Sequence, residues 1–280
     1  MLKRIRQKLI AAYLSKEEKE KVSQALKNLA STGFDPWGVS PETLMASLAS
    51  TIWFYRSYFR VATHGIAHIP NGRCLLIANH SGQVPIDAML IATSVLLERE
   101  PPRLVRGMVE RWAPSLPFVS TFFTRNGQIT GDTHNAKMLL ENDECVMVFP
   151  EGVGGSGKTI FDRYELQKFG TGFVRLAMET KTPIVPVGVI GCEEMLPSIS
   201  KLSPLAKTLG IPYIPVVPTL LPLPTKVTIR FGEPIVFDAN PDETDAEVYR
   251  KVETVRNAIR AELEAGLKAR GERIFTGAGI

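Results

Sequence analysis

Along residues 1–30, apolar positions recur at helical spacing among charges: Ile5, Leu9, Ile10, Tyr13 and Leu14, then Val22, Leu26 and Leu29. This period predicts one or two amphipathic helices with a break near Leu14-Ser15. FDPWGVSPET (34–43) is a proline-bearing loop ending in a helix start signal, Ser40 followed by Glu42. LMASLASTIWFYRSYFRV (44–61) then reads as a helix that is apolar over most of its surface, with aromatics at 53, 54, 55, 58 and 59. Two placements fit it: a core helix, or a helix lying in a membrane interface.

From residue 64 the pattern changes. Short apolar runs with β character, CLLIANH (74–80), RLVRGM (103–108), CVMVFPE (145–151), PIVPVGVIG (183–191) and KVTIRFG (226–232), alternate with helical stretches, one of them from about 85 to 99. Such alternation predicts an α/β fold: a mixed, largely parallel sheet flanked by helices, preceded by an N-terminal helical segment. Residues 242–270 carry Val248, Val252, Val255, Ile259 and Leu263 on one face, as a C-terminal helix docked on the sheet would. GIPYIPVVPTLLPLP (210–224) is apolar yet broken by five prolines, which excludes a helix or a central strand. It is expected to lie against something apolar, either the core or an acyl chain or bilayer edge. The division is then 1–62, helical and membrane-facing, and 63–280, the α/β domain with its C-terminal helix.

The chain has 280 residues, 44% hydrophobic and 22% charged, enough for one large domain with a small appendage. Its 33 basic and 29 acidic residues leave a net charge of +4, too mild for a nucleic-acid partner. The excess is local, however: Lys3, Arg4, Arg6 and Lys8 cluster at the start, as a segment meeting an anionic membrane surface would. Cys74, Cys145 and Cys192 sit in apolar stretches without a C-x-x-C pair, which points to buried, reduced thiols rather than a disulfide framework or a zinc site. No run is long and apolar enough for a spanning helix. The expected location is cytoplasmic, peripherally associated with the membrane.

Residues 152–159, GVGGSGKT, match the phosphate-cradling pattern G-x-x-x-x-G-K-[ST]. The segment after Lys158-Thr159 is a poor helix start, interrupted by Gly170-Thr171-Gly172, whereas a phosphate cradle needs a firm helix N-terminus there. A nucleotide hydrolase is therefore the weaker reading. The stronger one comes from LLIANHSGQVPIDAML (75–90), where His80 follows an apolar strand and Asp87 opens a helix after Pro85. Ligand and catalytic groups of open α/β sheets gather at that edge. A histidine with a nearby carboxylate can act as general base with an orienting partner.

Asn79-His80 with Asp87, then Phe149-Pro150-Glu151-Gly152, then Pro183-Ile184-Val185-Pro186-Val187 appear in order over roughly residues 64–235. This resembles the glycerolipid and lysophospholipid (1-acylglycerol-3-phosphate) acyltransferase superfamily, with its blocks N-H-x-x-x-x-D, F-P-E-G-[TS]-R-[ST] and an apolar run such as P-I-V-P-V. The resemblance implies that His80 takes a proton from an acceptor hydroxyl, which attacks the thioester of acyl-CoA or acyl-carrier protein (acyl-ACP). Asp87 would orient His80, and Glu151 and Gly152 would shape the acceptor site. It implies no cofactor beyond the acyl-CoA or acyl-ACP co-substrate, no metal and no covalent acyl-enzyme. GVGGSGKT becomes the extension of the FPEG loop.

The sequence departs from that pattern in three places. Six residues, SGQVPI, separate His80 from Asp87 rather than four, as in the branch resembling monoacylglycerol and diacylglycerol acyltransferase-like proteins. Val153-Gly154 stand where Thr-Arg would follow FPEG, and GQITGD (127–132) occupies the second block, G-x-I-x-x-x-R, without its arginine. Arginines are natural bidentate partners of a phosphomonoester. Either Lys158, Arg125 or Arg163 supplies that charge from elsewhere, or the acceptor has no phosphomonoester and is a neutral lipid alcohol or a lysophospholipid with a shielded head group. A lysophosphatidic acid acyltransferase, and a lipid-binding protein without catalysis, are the alternatives in kind.

Overall fold

The computed structural model describes residues 2–26, 29–80, 84–110, 119–202, 214–219, 221–240 and 243–271. The amphipathic start forms two helices, α1 (Leu2–Tyr13) and α2 (Lys16–Ala25). The break falls at Ser15, whose side chain and that of Glu18 make a reciprocal capping box. Helix α3 (Pro41–Trp53) starts on Ser40, whose hydroxyl accepts from the Thr43 N–H, and runs into a π-helical turn at Phe54–Tyr58. Leu44, Leu48, Ala49 and Ile52 of α3 pack with Leu14, Val22 and Leu26 and with Leu96, Leu97 and Leu104 of the α/β domain. The 44–61 segment thus serves a core on one side, while Trp53 and Phe54 remain exposed.

The loop from 34 to 39 is fixed by a buried arginine. Arg106 donates from Nη2 to Asp35 Oδ2 (2.7 Å) and to Glu144 Oε1 (2.9 Å), and Trp37 Nε1 donates to the same Glu144 oxygen (3.1 Å). This charge-assisted set ties the N-terminal segment to the sheet.

The sheet has strands β1 (Ala62–His64), β2 (Cys74–Ala78), β3 (Val105–Val109), β4 (Ile129–Thr130), β5 (Cys145–Val148), β6 (Ile184–Ile190) and β9 (Thr228–Phe231). Their order is β1-β9-β6-β2-β5-β3-β4, and every pairing is parallel except β6 with β9. Strands buried on both faces read as continuous apolar runs, and CLLIA of β2 is buried throughout. Successive side chains point to opposite faces. Cys74, Leu76 and Ala78 join one core with Leu90, Ile91 and Val95 of α4 (Ile86–Glu98) and with Tyr55 and Phe59. Leu75 and Ile77 join the other, with α6 (Thr133–Glu141), α8 (Gly172–Glu179) and the long C-terminal helix α10 (Asp245–Arg270). All five residues expected on the inner face of that last helix are buried. It lies so close that a Cβ on Gly188 would stand 2.9 Å from the Glu262 Cβ.

Of the proline-rich stretch, residues 214–219 and 221–224 are described, and Ile214–Val216 forms β8, paired antiparallel with β7 (Ser200–Leu202) outside the main sheet. Residues 203–213 lie outside the described residues. The three cysteines are buried, and none is in a disulfide.

Candidate active site

The site begins where β2 ends. Asn79 is fully buried, and its side chain takes the place of a neighbouring strand: Oδ1 accepts from the Val189 N–H (2.7 Å) and Nδ2 donates to the Val189 oxygen (3.1 Å). That anchors the chain one residue before His80. The His80 ring stacks on Phe149, with centroids 4.2 Å apart and planes 26° apart. Its Nδ1 lies 2.8 Å from Asp87 Oδ2. Asp87 is fully buried in the first turn of α4, and its other oxygen accepts from the Ala88 N–H (2.7 Å). A helix N-terminus favours a carboxylate there. The longer loop therefore does not part the pair; its residues 81–83 lie outside the described residues.

Nδ1 is thus committed to Asp87, which leaves Nε2 as the ring nitrogen outside that pair. Burial pulls the imidazole pKa down, but the charge and hydrogen bond of Asp87, helped by the charge of Glu151 and opposed by Lys158, outweigh it; the net direction is up. His80 opens onto a cavity of about 980 Å³. Leu44, Leu48 and Thr51 of α3, Met89 of α4, Met108 of β3 and Phe123 of α5 (Val119–Arg125) contribute to a mostly apolar wall. Glu110, Asp132 and Gly152 also line it, and Asp132 doubles as the N-cap of α6.

Three of the sequence-based expectations need correction. Glu151 does not line the cavity among the described residues. Its side chain is fully buried beneath the His80 turn, with Oε1 accepting from the His80 backbone N–H (2.9 Å) and Oε2 from the Gln167 N–H (2.8 Å). Lys158 does not line it either: its ammonium sits 3.3 Å from Glu151 and 3.0 Å from Glu193 in the interior. The geometry is therefore not a phosphate cradle, whose lysine would turn outward to its ligand. Instead GVGGSGKT forms a short helix, α7 (Gly152–Ser156), and a turn. Arg125 faces the loop before α3, donating to the Gly38 oxygen (3.0 Å) with its guanidinium over the Phe34 ring (3.9 Å). The difference is one of pairing: charged side chains in an apolar setting find partners wherever the fold brings them. Gly152, at the start of α7, lines the cavity with φ 51°.

Sequence reasoning missed Asn79 as an anchor and Glu193, on the short helix α9 (Cys192–Met195), as a partner of Lys158. Burial pushes the Glu193 carboxyl pKa up, against the pull of Lys158. The signal for Glu193 was present in GCEEM, two acids inside an apolar stretch. Among the described residues, no group of three or more His, Cys, Asp and Glu side chains is spaced to hold a metal ion.

Comparison with known proteins bears on the family and the fold. The family model described as Acyltransferase matches residues 60–190. An uncharacterized protein of Mycobacterium tuberculosis is 36% identical over 256 residues, covering 86% of this chain and 71% of its own. A Gallus gallus protein described as a DGAT1/2-independent enzyme synthesizing storage lipids is 24% identical, over 70% of this chain and 58% of its own length. The crystal structure of the 1-acyl-sn-glycerophosphate (LPA) acyltransferase PlsC from Thermotoga maritima superposes with a TM-score of 0.54 at 16% identity, covering 82% of this chain and 83% of that one, and shares the fold. The N-H, F-P-E-G and P-I-V-P-V blocks all fall within the matched segment, and the chain belongs to the acyltransferase family.

Proposed function

We propose that the protein moves a fatty acyl group from acyl-CoA or acyl-ACP to the hydroxyl of a lipid alcohol at a membrane surface, with His80 as general base and Asp87 as its orienting partner. The observation that carries this reading is the 2.8 Å His80–Asp87 contact at the wall of a largely apolar cavity of about 980 Å³. His80 Nε2 takes the acceptor's proton. The acceptor oxygen then attacks the thioester carbonyl, the C–S bond breaks, and the imidazolium returns the proton to the departing thiolate.

The acceptor we favour is a neutral lipid alcohol such as a mono- or diacylglycerol. Glu110 and Asp132 put carboxylates on the cavity wall, where a phosphomonoester would meet like charge. The storage-lipid description of the Gallus gallus relative points the same way. The test is acceptor-dependent release of free thiol from a long-chain acyl-CoA, with monoacylglycerol, diacylglycerol, a lysophospholipid and lysophosphatidic acid compared. Release with the glycerols supports the reading. Release with lysophosphatidic acid alone assigns the phosphate acceptor instead, and none with any acceptor from either acyl-CoA or acyl-ACP removes the enzyme reading.

Association with the membrane rests on two exposed features. Lys3, Arg4, Arg6 and Lys8 are exposed on α1, as are Trp53 at the end of α3 and Phe54 at the start of the turn that follows. No helix among the described residues is long and apolar enough to cross a membrane. Basic side chains near an anionic surface contribute about 1 kcal/mol each. Replacing those four by Gln is expected to weaken cosedimentation with phosphatidylserine vesicles, while thiol release on detergent-dispersed substrate stays unchanged. Undiminished vesicle binding would reduce α1 to an ordinary docked helix.

A further inference from the structure

The string GVGGSGKT is not explained by a phosphate, and its lysine is not explained by a substrate. Its geometry has another logic. The Gly155 N–H donates to the Glu151 oxygen (3.3 Å) and the Lys158 N–H to the Gly155 oxygen (3.1 Å), which folds the chain back on itself. Gly155 must lack a side chain for this: a Cβ there would stand 2.6 Å from the Glu151 Cβ and 3.0 Å from the His80 Cβ. The turn brings the Lys158 ammonium between two buried carboxylates, 3.3 Å from Glu151 and 3.0 Å from Glu193. Glu193 is itself held by the Tyr164 N–H (2.6 Å) and reached by Asn79 Nδ2 (3.4 Å). The cluster thus joins both residues that flank the His80 backbone: Asn79 before it, and Glu151, which accepts the His80 N–H at 2.9 Å.

We infer that Lys158 is a positioning residue for the transfer reaction, pinning Glu151, and through it the His80 turn, where the imidazole meets the acceptor hydroxyl. The inference rests on the acyl-transfer reading of His80. Two ionised carboxylates buried in one small volume repel each other, and a lysine between them offers a compact charge with three donors. Without it Glu151 is driven to reorient or take up a proton, and the His80 N–H loses a fixed acceptor. The charged groups facing His80 are Asp87, Glu151 and Lys158; the ammonium opposes protonation of the imidazole, and the two carboxylates favour it.

The experiment uses the full chain and two variants, Lys158→Met and the pair Lys158→Met/Glu193→Gln. The pair removes one carboxylate with the cation, so the buried cluster keeps its net charge and the fold is spared. Thiol release is followed with palmitoyl-CoA and the acceptor panel, beside far-UV circular dichroism and urea unfolding. Displacing a reacting group by an ångström costs about 10²-fold, so kcat is expected to fall on that order in both variants, with KM changed only a few-fold. In the pair, where Glu151 keeps its charge, the acid limb of the kcat/KM profile moves to higher pH, because the ammonium no longer opposes the imidazolium. Lower stability with kcat per folded molecule and the acid limb both unmoved would show a merely structural lysine and overturn the inference. A wild-type protein that releases no thiol, or a His80→Ala variant that releases as much, instead removes the acyl-transfer reading and this inference with it.

Discussion

Replacing His80 by Ala is expected to lower acyl transfer by about 10²–10⁴-fold, the range that a positioned general base contributes. The fall should appear in kcat, with KM for the thioester little changed, because the imidazole acts on the acceptor's proton rather than on the bulk of either substrate. Asp87→Asn separates the two halves of the dyad. The ring keeps a polar neighbour at Nδ1 but loses the charge that supports the imidazolium. With the neutral imidazole as the proposed base, activity is expected to fall as pH drops through its pKa. In the wild type that limb lies above the ordinary histidine value of about 6.5, because Asp87 and Glu151 outweigh burial. In Asp87→Asn burial dominates, and the limb moves to lower pH even as kcat falls. The measurement is kcat/KM for thiol release across the pH range. An Asp87→Asn profile that matches the wild type in height and inflection would remove the dyad assignment.

The second large effect concerns stability. Glu151→Ala leaves the His80 and Gln167 N–H groups without their side-chain acceptor and takes one buried carboxylate from beside Lys158. Breaking a buried ion pair by removing one partner costs about 3–5 kcal/mol, since the remaining charge stays desolvated. Urea unfolding of Glu151→Ala should show a loss of that size. A loss under about 1 kcal/mol, in the range of a solvent-exposed ion pair, would mean that water reaches the cluster. Glu151→Gln should fall between, since its amide oxygen can still accept one of the two backbone bonds.

Much of this arrangement is legible in the sequence. The alternation of apolar runs with helical stretches follows from burial on both faces, and so CLLIA, CVMV and IVPVGVI stand out. Five apolar residues at helical spacing mark the C-terminal helix. His80 and Asp87 are legible because an apolar strand runs into a short polar loop and then a helix, with one of the pair at each end of that loop. Strand β4 is not, since two residues carry no period, and neither is β1, whose burial is only partial. The partners of Lys158 and Arg125 are also out of reach. Glu193 lies 35 positions from Lys158 and Gly38 lies 87 from Arg125, so their meeting is decided by the sheet order and loop paths. Charge type in a motif indicates that a side chain needs a partner, not which one it meets.

The wall that α3 gives the cavity has a further meaning. The dyad stands on the end of β2 and the start of α4, whereas Leu44, Leu48 and Thr51 come from a helix that precedes the whole sheet. On the proposed reading, part of the fit is therefore carried by a stretch of chain separate from the chemistry. Substitutions in α3 can lengthen, shorten or reshape the space beside His80 without disturbing the His80–Asp87 pair to which we assign the proton transfer. A lineage of such proteins could change what it accepts while leaving how it reacts untouched.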